Sequence, residues 1–91
     1  MVDVNTLNAY VNMAIDLVCA EFKCDLPSDI TFMITTKGHL VASVYAGMKL
    51  VDDKYFPFHI EEELILKIGD SSILVYIFVK KIFSQYLTSF N

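Results

Sequence analysis

The sequence has no arginine; all seven of its basic residues are lysines. Without a guanidinium fork it lacks the group that grips phosphate or reads guanine through two parallel bonds. A net charge of −4 points the same way, against direct nucleic-acid binding through phosphates. Glycine is scarce, and Gly38, Gly47 and Gly69 stand alone, so there is no phosphate-cradling loop. Long apolar runs are missing as well. The longest, Ile73 to Val79, stops at Lys80-Lys81 after seven residues, whereas a bilayer-spanning helix takes about 20. Only two cysteines occur, Cys19 and Cys24, and the start Met1-Val2-Asp3-Val4-Asn5 has neither the basic head nor the apolar stretch of an export signal. Free thiols in a reducing cytoplasm, with no membrane contact, are the expectation.

What is present is hydrophobic. Of 91 residues, 55% are apolar and 13% aromatic, which excludes a disordered tail. The length suits a single domain over 1–91, whose folding buries roughly 64% of the unfolded surface. The apolar excess is assigned to a core and to a subunit interface.

Val4, Leu7, Val11, Ala14, Val18 and Phe22 recur at three- and four-residue steps, with Asn5, Asn8, Asn12 and Asp16 opposite. This predicts a helix over 4–23, capped by Asp3 or Asn5. Ile30, Phe32 and Ile34 alternate with Thr31, Met33 and Thr35, and Leu40, Ala42, Val44, Ala46 and Met48 with Val41, Ser43, Tyr45 and Gly47. A β-hairpin over 30–48 follows, with a two-residue turn at Lys37-Gly38. The small residues Ala42, Ser43, Ala46 and Gly47 leave room for a close neighbour on the second strand. Asp52-Asp53-Lys54 reads as a turn, and Tyr55 to Ile60 as extended chain around Pro57. Residues 61–68 fit a helix start, through three glutamates, or a strand, through Leu64 to Ile68. After a break at 69–72, Val75, Val79, Ile82, Tyr86 and Phe90 predict a helix over 72–89, its apolar face broadened by Leu74, Phe78 and Leu87. The order gives an α+β fold: a small antiparallel sheet, the hairpin plus a possible third strand, packed by an N-terminal and a C-terminal long helix.

Catalytic and metal chemistry find little footing. Cys19, Cys24, His39 and His59 are separated by four, fourteen and nineteen residues, where a zinc finger pairs its ligands compactly. Neither cysteine follows a glycine-rich elbow or opens a helix. The reading is therefore no enzyme, no metal and no cofactor. The densest charge feature is Glu61-Glu62-Glu63 with Asp52-Asp53 upstream. It suits either an acidic patch for a basic partner or a helix start and a turn.

A short acidic chain rich in Ile, Lys, Phe and Tyr, without arginine, resembles the small early proteins of tailed phages, among them anti-restriction and DNA-mimic proteins. That resemblance implies a dimer whose carboxylates stand in for phosphates and occupy the DNA site of a basic host protein, a nuclease or a nucleoid-type protein. The mimic residues it implies are Asp3, Asp16, Glu21, Asp25, Asp29, Asp52, Asp53, Glu61, Glu62, Glu63 and Asp70. A two-fold dimer doubles the chain's 11 acids to 22 and its net −4 to −8. The order of elements over 26–87 also resembles small zinc metallopeptidase-like domains. Their two-histidine, one-glutamate motif has no counterpart in the last helix, Val79-Lys80-Lys81-Ile82-Phe83, so that likeness implies a degenerate scaffold without activity.

These readings converge on a non-enzymatic, homodimeric, cytoplasmic protein-binding inhibitor. The aromatic anchors expected at the dimer interface are Tyr76, Phe83, Tyr86 and Phe90. The alternatives are the degenerate scaffold and a structural subunit of a larger assembly.

Overall fold

The computed structural model describes residues 3–67, 69 and 71–88, with the side chains of 46–49 and 56–58 left aside. Asp70 and Phe90 therefore lie outside the described residues. The elements are α1 (Val4–Phe22), β1 (Ile30–Ile34), β2 (Leu40–Val51), β3 (Lys54–Leu64) and α2 (Ser72–Thr88). This is the expected α+β arrangement, with a three-stranded antiparallel sheet in the order β1-β2-β3.

α1 starts at Asp3, whose carboxylate accepts from the Thr6 amide at 3.0 Å and from the Thr6 hydroxyl at 2.8 Å. The first bond satisfies an open amide of the first turn, and the second holds the carboxylate in place. The helix ends one residue earlier than its periodicity suggests. Lys23 turns left-handed at φ 53°, and the Cys24 amide reaches back to the Cys19 carbonyl at 3.1 Å.

The first hairpin corrects the expected two-residue turn. The Thr35 amide donates to the His39 carbonyl at 2.8 Å and the Gly38 amide to the Thr35 carbonyl at 2.9 Å. The loop is thus Thr36-Lys37-Gly38, and Gly38 at φ 79° supplies the left-handed step that closes it. β2 runs three residues further than the 30–48 boundary of the first hairpin implied, and leads into a second hairpin with β3. It closes at Asp52 and Asp53, both left-handed at φ 51° and 62°, a mirror-type turn suited to the twist of two strands. Between Tyr45↔His59 and Met48↔Pro57, β2 carries one extra residue, a bulge at Ala46-Gly47.

Residues 61–64 resolve as strand. Glu61, Glu62 and Glu63 stand opposite Ser43, Ala42 and Val41, so their backbone groups complete the ladder with β2. A helix there would strand the donors and acceptors of β2. Of the two readings open for this segment, the strand is the one adopted over 61–64, as an edge strand. Charges and Pro57 on such an edge discourage pairing with another chain.

The helices cover one sheet face. Leu7, Val11, Ala14 and Val18 of α1 and Val75, Phe78, Val79, Ile82 and Phe83 of α2 bury against Ile30, Leu40, Ala42 and Val44. Ala42 is fully buried, which fits the close approach its size allows. β1 pairs with β2 only as far as Val44. Beyond it, β2 and β3 continue as a two-stranded arm, and the chain measures 47 × 28 × 18 Å. Its radius of gyration of 14.2 Å exceeds the roughly 12 Å of a compact chain of this length.

Candidate docking surfaces

α1 and α2 run side by side in the same direction. Ser72 and Ile73 face Tyr10 and Met13 across a shared groove, Glu21 meets Tyr76 and Lys80, and Phe22 stacks on Phe83. The far end of this junction is polar: Lys80 Nζ lies 3.0 Å from Glu21 Oε2 and 5.7 Å from the Tyr76 ring centroid, and the Tyr76 hydroxyl donates to Glu21. The near end is apolar. Tyr10, Met13, Ala14, Leu17, Ile73 and Tyr76 give a groove of about 310 Å³ its mostly apolar lining, to which Glu21 and Ser72 add polar groups.

The outer helical face continues that groove. Ala9, Met13, Leu17 and Ala20 of α1 are all exposed, Met13 by 56% and Leu17 by 55%, and on α2 Ile73 is 62% and Ile77 55% exposed. None of these was among the sequence-based candidates, although the four-four-three spacing of the α1 stripe is legible. A second cleft of about 360 Å³ lies between α1 and β1, with Asn5 and Asn8 in its wall.

The outer sheet face carries a row of histidine–glutamate pairs. His39 Nδ1 lies 2.5 Å from Glu63 Oε1 and His59 Nε2 lies 3.9 Å from Glu61 Oε2, while Tyr45 stacks on His59 with centroids 4.2 Å apart. Toward the arm tip, Leu50, Val51 and Tyr55 are exposed.

The ten sequence-based acids that lie among the described residues are spread over the start of α1, the helix junction, both sheet faces and the arm tip. Asp3 is a helix cap, and the Thr6 amide and hydroxyl hold its carboxyl below the ordinary range. Glu21 is matched by Lys80. Glu62 points inward, opposite to Glu61 and Glu63, and meets Lys81 Nζ at 3.0 Å. Asp29 accepts from the Tyr86 hydroxyl at 3.1 Å; burial, and then this bond, push that hydroxyl above its usual range. Asp16, Asp25, Asp52 and Asp53 are exposed. Asp52 lies at the arm tip, beyond the seven β2 residues that follow Val44, or roughly 23 Å of strand.

The expected interface aromatics also divide. Tyr76 lines the groove, but Phe83 is fully buried within its own chain, so it is core and not a docking anchor. Tyr86 is half-buried against the same core. Among the described residues no three His, Cys, Asp or Glu side chains converge as metal ligands, and no helix is long and apolar enough to cross a membrane. Comparison with protein-family models, with curated proteins and with solved structures returned no match.

Proposed function

We propose that the chain works by binding protein, and that its first partner is a second copy of itself docked across the outer face of α1 and α2. The observation that supports this reading is the exposed stripe of Met13, Leu17, Ile73 and Ile77 around the apolar groove. Exposed apolar surface that is contiguous, rather than scattered, marks an interaction site. A face two helices wide and seventeen residues long measures roughly 26 by 20 Å. Corrugated by side chains, such a footprint is on the scale of the about 800 Å² per partner of a standard interface. A two-fold axis through it brings each groove onto the partner's stripe, a closed and self-complementary contact.

Light scattering tests this directly. The wild-type chain is expected to elute with the mass of a dimer at micromolar concentrations, and the Leu17→Glu, Ile73→Glu double variant with that of a monomer. A monomeric wild type contradicts the reading.

A narrower version has the dimer occupy the DNA site of a basic nuclease or nucleoid-type protein. It draws on the exposed Asp16, Asp25, Asp52 and Asp53, which a two-fold doubles. Added salt and the Asp52→Asn, Asp53→Asn variant are expected to weaken binding to a basic DNA-binding protein. Affinity unchanged by both would remove this version and leave the dimer standing.

A further inference from the structure

The end of α1 does more than stop a helix. With Lys23 left-handed at φ 53° and ψ 44°, the amides of Lys23 and Cys24 both turn back to the Cys19 carbonyl. In this closing motif the residues at positions 19 and 24 are the pair whose side chains meet over the last turn. Here both are cysteines, both free, both half-buried, and both packed against the same core. We propose that Cys19 and Cys24 form a redox-active dithiol, a modification site closed to an internal disulfide by small-molecule disulfides. The 3.1 Å bond from the Cys24 amide to the Cys19 carbonyl draws the two backbones together, as a disulfide with its Cα span of about 4.4–6.8 Å requires.

The chemistry balances as thiol–disulfide exchange. The Cys24 thiolate attacks one sulfur of a small disulfide, forming a mixed disulfide and releasing one small thiolate. Cys19 then gives up its proton, its sulfur attacks the Cys24 sulfur, and the second small thiolate leaves. Two protein thiols are oxidised, one disulfide is reduced to two thiols, and the two protons end on them. Burial, and then the neighbouring Cys24, Asp25 and Asp16, push the Cys19 thiol up, which slows its own attack.

The ring so closed contains Ala20 to Lys23, and with them Glu21 and Phe22, two of the residues that join α1 to α2. Oxidation thus fixes the turn that presents the helix junction, independently of what docks on the outer helical face.

The test equilibrates the full chain with mixtures of reduced and oxidised glutathione, then alkylates remaining thiols and weighs the intact protein. The expected product is one chain lacking two hydrogens, with no glutathione adduct and no alkylation. Its formation constant is expected to be at least ~10-fold larger in native buffer than in urea, because the folded turn sets the two sulfurs together. Cys24→Ser is expected to stop at an adduct on Cys19. A wild type that stops at glutathione adducts, bridges between chains, or closes no more readily folded than unfolded would overturn the proposal. The wild-type measurement decides it even where a variant fails to fold.

Discussion

The rings of Phe22 and Phe83 lie 6.0 Å apart and 7° from parallel, joining the end of α1 to the middle of α2. Phe83 has no exposed surface, so its removal opens a cavity inside one chain. Phe83→Ala is expected to cost about 3–5 kcal/mol in urea unfolding. The loss should be the same at every protein concentration. Phe22→Ala, at a half-buried site, is expected to cost less. A loss that grows on dilution would put Phe83 in an interface after all.

The turn at Asp52 and Asp53 holds two side chains in the left-handed region, which suits asparagine and glycine better. Replacing the pair by Asn-Gly is expected to stabilise the chain by roughly 0.5–1 kcal/mol, read as a rise in melting temperature. An unchanged or lower melting temperature would mean that the arm does not unfold with the rest.

Asp3 carries a pH dependence whose sign follows from its bonds to Thr6. Its carboxyl ionises below the ordinary 3.8 in the folded chain, so ionisation favours the fold. That contribution is complete above the unfolded value and disappears as pH falls through the lower folded one. Thermal melts of wild type and Asp3→Ala should differ at neutral pH and converge in that acid window. Asp3→Asn keeps an acceptor and should show no such convergence.

Glu62 and Lys81 make a second separable pair. The glutamate points toward the helices, with its Oε2 buried and unpartnered, and Lys81 supplies its one ion pair. Lys81→Ala leaves that carboxylate unmatched and is expected to cost about 1 kcal/mol, since the half-exposed lysine is screened by water. Adding Glu62→Gln to it should recover part of the loss. Denaturation of the two single variants and the double variant measures the coupling, and strictly additive losses would deny it.

The helices and strands were legible because their periods are clean. The inward residues of α1, from Leu7 to Val18, are those the three- and four-step repeat names. Residues 61–64 were not, because three glutamates suit either a helix start or an exposed edge strand, and only pairing with Val41 to Ser43 decides between them. Phe83 shows a different limit. Periodicity places a residue on a helix face, but whether that face meets the same chain or another depends on the crossing of α1 over α2. The same crossing leaves Met13, Leu17, Ile73 and Ile77 outside, which neither helix alone discloses. The spread of the described acids has a related reason. Neighbours in a strand point to opposite faces, so Glu61 and Glu63 part from Glu62.

The central claim, self-association through the outer helical face, is tested most directly by sedimentation equilibrium on four chains: wild type, Leu17→Glu with Ile73→Glu, Glu61→Gln with Glu63→Gln, and Phe83→Leu. The expected result is a reversible dimer for the wild type and for the sheet-face and core variants, with the helix-face variant monomeric while its circular dichroism stays that of the folded chain. A dimer that survives the Leu17 and Ile73 changes, or a wild type that remains monomeric throughout, would contradict it.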